Sequence, residues 1–372
     1  MNSVFWSGRK VLVTGHTGFK GSWLCLCLHQ LGAKVVGYSL PPPTQPSLFE
    51  RARVASVVDS VIGDIRNVEK LTALIREHSP DVILHLAAQS VVRSSYDDPI
   101  ETYSTNVVGT ASVLQAIRAA GARSAVVSVT TDKCYKNREW LWGYRESDEL
   151  GGHDPYSNSK ACAELVTQSF RDSFFPPTEL ARHGVAIASA RAGNVIGGGD
   201  WTSHQLLPDV VRAFEAHQPV LIRQPRSVRP WQHVLDCLSG YLVLAERLNV
   251  DSPEVCGAWN FGPELDDAQP VAWLVEFLVR EWGGDASWRI DGSAHPHEAG
   301  LLRLDSSKAG EILGWRPRLR LSDALAWTAE WYKSHAAGGD ARDLCRAQID
   351  AYLARGRSAA LEARGRHPKP FV

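Results

Sequence analysis

Tyr156 and Lys160 stand four positions apart in Tyr156-Ser-Asn-Ser-Lys160, which puts a phenol and an ammonium on one face of a helix. A neighbouring cation favours phenolate, so Lys160 is expected to lower the Tyr156 pKa toward working pH and make it a usable base. That spacing alone is common on exposed helix faces, and it gains meaning from Gly15-His-Thr-Gly18-Phe-Lys-Gly21 upstream. Glycines there allow a tight strand-to-helix turn and let the backbone approach a pyrophosphate at the helix N-terminus. Between the two lies Thr130-Thr131-Asp132-Lys133, either a capped turn with a surface ion pair or a reactive cluster. A hydroxyl, a carboxyl and an amine together are more than a plain redox step needs. The three segments read as a dinucleotide site with hydride-transfer and acid–base machinery.

The glycine spacing is G-x-x-G-x-x-G, not G-x-G-x-x-G. An acidic residue for the adenine ribose is expected at the end of the second strand, where this chain has Tyr38-Ser39. No arginine stands beside them to take a 2′-phosphate, so this loop leaves NAD and NADP both open. Asp64, after the third strand, could hold the adenine edge, cap a helix, or do both.

The elements that must position these groups follow from the apolar pattern. Residues 10–15 form a β-rich run that stops at glycine, and Leu24, Cys27, Leu28 and Leu31 then trace an amphipathic helix closed by Gly32. Lys34–Ser39, a proline-rich loop and Ser60–Gly63 follow. After them come a helix at Val68–His78, a strand at Asp81–Leu86, a helix near Thr105–Ala120 and a strand at Ser124–Val129. Strands alternating with helices, several of them apolar throughout, predict a doubly wound parallel sheet covered on both faces. The second half, broken by Pro176, Pro177, Pro219, Pro225, Pro230 and Pro263, reads as the remaining strands interleaved with a smaller lobe.

At 372 residues the soft expectation is two lobes or one large α/β domain. With 40 basic against 41 acidic residues the net charge is −1, which gives no global reason to bind nucleic acid or an anionic membrane. Seven cysteines without a C-x-x-C pair, among them Cys25, Cys162 and Cys237 in apolar helix-like stretches, read as buried small hydrophobes in a reducing compartment. The first ten residues lack a signal-peptide profile and no uncharged apolar run approaches 18 residues, so the expected location is cytoplasmic.

On TGHTGFKG (14–21), HLAAQ (85–89), NVVGT (106–110), YSNSK (156–160) and RAGNVIGGGDW (191–201) the chain resembles the extended short-chain dehydrogenase/reductase family. Through TTDKCY (130–135), EWLWGYRE (139–146), DPYSNSK (154–160), RPWQHV (229–234) and AHPHEA (294–299) it is similar, more narrowly, to the members that dehydrate CDP-glucose. The likeness runs from about residue 4 to about residue 353 and implies an α/β Rossmann-type sheet with a smaller, interleaved C-terminal substrate lobe. It implies NAD binding by residues 1–192, with a further part near 234–260. A nucleotide-sugar lobe would lie mainly in 193–353; residues 354–372, basic and poor in large apolar residues, lie outside the likeness and read from composition as a disordered tail.

The same resemblance implies roles. Tyr156 would take the C4 hydroxyl proton with Thr131 hydrogen-bonded nearby, and Lys160 would hold the nicotinamide ribose. Asp132, protonated, would donate to the departing C6 hydroxyl, and Lys133 would remove the C5 proton or, alternatively, stabilise the enolate as a cation. Similar dehydratases acting on dTDP- or GDP-sugars carry a glutamate where this chain has Lys133. Cofactor contacts would come from Gly15, Thr17, Gly18, Phe19, Lys20, Gly21, Ser39, Asp64, Ile65, Ala87, Ala88, Gln89, Asn106, Tyr156 and Lys160. Arg223 and Arg229 would clamp the diphosphate, with Asn194, His204 and His233 as further substrate contacts.

His295, His297 and Glu298 form H-x-H-E, which lacks the i,i+4 histidine pair of zinc proteases, so no metal is expected. The apolar faces of Val108, Ala111, Leu114, Ala161 and Leu165 could be covered by the sheet or by a second copy in a homodimer or homotetramer. The rival readings are a nucleotide-sugar 4-epimerase, a dehydratase of another nucleotide hexose, and a non-catalytic sensor of NAD(P).

Overall fold

The computed structural model describes residues 1–250, 253–293 and 299–365, with 357–365 as backbone only. Seven parallel strands make the central sheet: β1 (Lys10–Thr14), β2 (Lys34–Ser39), β3 (Asp59–Ile62), β4 (Val82–His85), β5 (Ala125–Val129), β6 (Ala186–Ala192) and β7 (Gly257–Phe261). Their order is β7-β6-β5-β4-β1-β2-β3, so the winding reverses between β1 and β4. Both sheet faces are covered, which is why β4 and β5 are buried at every position and are apolar apart from His85 and Ser128. The fold is the Rossmann-type doubly wound sheet that the alternation predicts.

The helix that follows the glycine turn, α1 (Phe19–Gln30), differs from its amphipathic expectation, since Gly21 through Leu28 are all buried. Its outer face lies under the C-terminal helix Ala341–Gly365, whose Cys345, Ile349 and Tyr352 join the same core. Residues 341–353, placed with the lobe by the sequence division, therefore pack against the sheet layer. That helix also runs through the stretch after Arg355 expected to be a disordered tail; its Ala, Leu, Glu and Arg are strong helix formers. The last seven residues lie outside the described ones, as does the His295-Pro-His297-Glu298 segment.

Two further helices carry the site. Helix α2 (Gly109–Ala120) continues a π-helical turn at Ser104–Val108. Helix α3 (Pro155–Phe174) starts where Asp154 accepts from Ser157 N at 2.9 Å and Pro155 takes the first turn, where no N–H partner is needed. Of the apolar residues on these helices, Leu114 and Ala161 are buried within the chain, whereas Val108 and Leu165 are left 55% and 54% exposed.

The lobe is a separate apolar cluster built on helices Leu206–Glu215, Val271–Trp282 and Leu321–Ala336 and a short parallel pair, Val220–Ile222 with Trp288–Ile290. Between its two halves, helix Val234–Val250 returns to cover β5 and β6. All seven cysteines are free, with Cys25 and Cys237 fully buried and Cys162 half-buried. Among the described residues no helix is long and apolar enough to cross a membrane.

Asp236 ties these layers together. Its carboxylate accepts from Tyr352 Oη and Arg318 N, both at 2.7 Å, and burial pushes it up to about 6. A carboxyl raised in the fold stabilises it fully below the unfolded pKa, and that contribution fades as pH rises through the folded pKa. Between about pH 4 and about pH 7 the wild-type unfolding free energy should fall by about 2 kcal/mol more than that of Asp236→Asn. Urea unfolding of both proteins across that range measures the difference, and parallel pH profiles would refute it.

Candidate active site

The ends of β1 and β4 flank the switch point, where open α/β sheets bind ligands. A cleft of about 480 Å³ opens there, bounded by the glycine turn, the end of β5, the start of α3 and the first residues of the lobe. Gly15 has φ +78°, and a Cβ on it would meet Ala87 N at 2.7 Å. A Cβ on Gly21 would lie 2.0 Å from the Gly15 carbonyl oxygen, so only glycine lets this turn close. Gly18 caps α1 without a side-chain hydrogen bond, which leaves the first amides of the helix for an anion. The cradle, the uncapped helix start and Lys20 in the same wall fit the pyrophosphate of a dinucleotide.

Of the expected cofactor residues, Gly15, Thr17, Gly18, Phe19, Lys20, Gly21, Ser39, Asp64, Ile65, Ala87, Ala88, Tyr156 and Lys160 line the cleft. Ser39 Oγ meets Thr17 Oγ1 at 2.9 Å. Asp64 is gripped by Arg66, with Nη2 to Oδ2 at 2.6 Å, which holds its carboxyl below the usual range. It does not cap the next helix, Val68–His78: Asn67 does, accepting from Lys70 N at 2.9 Å. Gln89 and Asn106 do not line the cleft. They clasp each other, Gln89 N to Asn106 Oδ1 and Asn106 Nδ2 to the Gln89 carbonyl, both at 2.9 Å. Asn106 also donates to Ser159 Oγ at 2.8 Å, so the pair fixes the loop after β4 to α3.

The reactive cluster assembles as its spacing predicts. Tyr156, Lys160, Thr131, Asp132 and Lys133 all line the cleft. Thr131 Oγ1 donates to Asp132 Oδ1 at 3.0 Å, while Asp132 Oδ2 is buried without a partner. Burial pushes the Asp132 carboxyl up against the pull of Lys133, Thr131, Arg229 and Lys20, which favours its protonated form. The Lys133 Nζ lies 5.9 Å from the Tyr156 ring centroid.

One electrostatic expectation is corrected. Burial pushes the Tyr156 phenol up; the Thr131 hydroxyl pulls it back, and Asp132 and Asp154 raise it further. The balance is upward, against the lowering expected from Lys160. Its ammonium donates to the Val129 carbonyl at 3.2 Å, and burial followed by Lys20 pushes it down to about 8.

Among the expected substrate residues only Asn194 lines the cleft. His204 is exposed and Arg223 half-buried, both outside the cleft wall. Arg229 is pinned to the backbone, with Nη1 to the Val228 carbonyl at 2.9 Å and Nη2 to the Ala299 carbonyl, close enough to Asp132 to lower its pKa. His233 is a core residue: fully buried, edge-on to Trp23 and Trp327, and pushed down to about 3 by burial, so it is neutral. Sequence reasoning missed Asp200, Gln205, Leu206 and Trp231 in the cleft wall. Asp200 and Trp231 stand inside motifs already quoted, GGGDW and RPWQHV; Gln205 and Leu206 carry no spacing signal, because the lobe brings them in.

A family model described as the NAD dependent epimerase/dehydratase family matches residues 11–262. The CDP-glucose 4,6-dehydratase of Salmonella typhimurium is 54% identical over 349 residues, covering 94% of this chain and 97% of the relative. The UDP-glucose 4-epimerase of Mycolicibacterium smegmatis is 27% identical over 87% of this chain and 99% of its own length. Among solved structures, the dTDP-glucose 4,6-dehydratase of Streptomyces venezuelae with NAD bound superposes with a TM-score of 0.73 at 25% identity, covering 89% of this chain and 99% of that one. On the cleft, the strand order and these likenesses, the chain belongs to the NAD-dependent epimerase/dehydratase family.

Proposed function

We propose that the chain converts CDP-D-glucose to CDP-4-dehydro-6-deoxy-D-glucose and water, with NAD as a cofactor regenerated in each turnover. The observation that carries this reading is the Asp132–Lys133 pair beside Tyr156 at the end of β5, with Asp132 buried, its carboxyl pushed up and one oxygen unpartnered. A 4-epimerase, which shares the glycine turn and the Tyr156–Lys160 pair, has no use for a proton donor and an amine there. The 54% identity to a relative named for CDP-glucose supports the choice of nucleotide.

The glycine turn, Ile65, Ala87, Ala88 and Lys160 would hold NAD, which would supply the hydride acceptor for C4 and the donor for C6. Tyr156 Oη takes the C4 hydroxyl proton as the phenolate, which the positive charge of a bound nicotinamide would favour against burial, with the Thr131 hydroxyl hydrogen-bonded to it. Lys133 Nζ removes the C5 proton, acidified by the new C4 ketone, and Asp132 Oδ2 protonates the C6 hydroxyl, which leaves as water. The cycle closes when Lys133, after exchange with solvent, returns a proton to C5, Tyr156 gives up its proton and Asp132 regains one. Asn194 is assigned to the diphosphate-sugar end. The same reading takes the protein to be cytoplasmic and a homodimer or homotetramer, with the exposed Val108 and Leu165 in the contact between copies.

Incubation with CDP-glucose and NAD in deuterated water should give a product lighter by one water, with deuterium at C5. Unchanged CDP-glucose would overturn the reading. Turnover of a dTDP-, GDP- or UDP-hexose instead would move it to another nucleotide or, without loss of water, to epimerisation.

A further inference from the structure

Glu164 belongs to none of the groups that touch the cleft, yet three elements around the cleft converge on it. It lies on α3 at four and eight residues beyond Lys160 and Tyr156, on the same helix face. Its side chain is only 4% exposed. Oε1 accepts from Thr130 Oγ1, at the end of β5. Oε2 accepts from Ser189 Oγ at 2.6 Å and from Arg191 Nη2 at 2.8 Å, both on β6. Arg191 is itself held: Nη1 donates to Tyr135 Oη at 2.9 Å, and Tyr135 donates to Asn260 Oδ1 on β7 at 2.7 Å.

A carboxylate in such a place is a poor choice for stability alone. Desolvating an ion pair costs about as much as the pair returns, and apolar side chains of the same volume would serve the core as well. What the carboxylate adds is direction. Thr130 immediately precedes Thr131 and Asp132, and its own N–H donates to the Ala190 carbonyl at 2.9 Å. The turn beyond it is closed by backbone bonds, Cys134 N to the Thr131 carbonyl at 3.3 Å and Gly151 N to the Cys134 carbonyl at 2.8 Å, but the Asp132 carboxyl bonds only to the neighbouring Thr131 hydroxyl and leaves Oδ2 unpartnered.

We propose that Glu164 is a positioning residue of the reaction, which locks the Thr130–Lys133 segment to the helix bearing Tyr156 and Lys160 through its bond to Thr130, with Arg191 as its fixed counter-ion. The inference rests on the dehydratase reading for its kinetic consequence, though not for its structural one. Arg191, Ser189 and Thr130 together outweigh burial and keep Glu164 ionised, so all three bonds are charge-assisted.

The test uses the full chain and two variants, Glu164→Gln and Thr130→Val, at a temperature where circular dichroism shows each folded. Thr130→Val removes only the one hydroxyl, so it carries the test if Glu164→Gln does not fold. With CDP-glucose and NAD, Thr130→Val should lower kcat about tenfold, the effect of some 1.4 kcal/mol in the barrier. Glu164→Gln should cost about a hundredfold, as a displacement of about 1 Å at the chemistry does. KM should stay within about twofold in both. Without substrate, amide hydrogen exchange should quicken at residues 130–134 and stay unchanged in β4. A lower melting temperature with wild-type kcat and wild-type exchange at 130–134 would overturn the proposal. If the wild type leaves CDP-glucose untouched, the dehydratase reading falls, and the exchange result alone decides the positioning role.

Discussion

Lys133→Ala should lose turnover of CDP-glucose by about 10²–10⁴-fold, the contribution of a positioned general base, with NAD still bound. The expectation follows from placement: Lys133 stands in the cleft over the Tyr156 ring, after β5 and so two strands along the sheet from the glycine turn after β1 that fits the pyrophosphate. Proton exchange at C5 with deuterated water should vanish with turnover. Lys133→Arg separates the two roles left open by the sequence. Arginine keeps the cation but stays protonated in proteins, so it can stabilise an enolate and cannot take a proton. Retained C5 exchange in Lys133→Arg would assign Lys133 as an electrostatic stabiliser, and normal exchange in Lys133→Ala would remove it from the reaction.

Asp132→Asn should stop dehydration to a similar degree and spare the first half of the reaction. Burial keeps the Asp132 carboxyl protonated over a wider range than an exposed one, and an amide of the same shape cannot pass on a proton. C4 oxidation, which needs Tyr156 and Thr131, should proceed. In a single turnover the ultraviolet absorbance of reduced nicotinamide should therefore rise and persist, whereas the wild type should show it only in passing. The sign of the pH dependence follows as well. The acid form of Asp132 is lost as pH rises through its raised pKa, so wild-type dehydration should decline toward alkaline pH while the residual rate of Asp132→Asn should lack that decline. Loss of both partial reactions in Asp132→Asn would mean that the carboxyl shapes the site and does not act as the acid.

Much of the site was legible because its determinants are local. Gly15 and Gly21 read from sequence because a Cβ at either would strike backbone, and no other residue type lets that turn close. Tyr156 and Lys160 read from a spacing that the helix geometry enforces, and Thr131, Asp132 and Lys133 from lying where a buried strand must end. A dinucleotide site and a reactive cluster followed from these short-range rules, whereas NAD itself and the acid and base roles came from the resemblance.

What failed were statements about surroundings. Helix α1 looked amphipathic because a sequence cannot show a helix from 320 positions away covering its outer face, as the Gln30–Asp350 contact records. Lys160 was expected to lower the Tyr156 pKa, but burial raises Tyr156 and the Val129 carbonyl occupies the ammonium. His233 looked like a ligand and is a neutral core residue, and Asn106 binds the chain where a cofactor contact was expected. Residue types and their intervals determined the chemistry this chain can attempt, because tight turns and helix faces are set by neighbours in sequence. Only the tertiary structure decided which groups are dry, charged or already bonded, because desolvation and hydrogen bonding are set by neighbours in space.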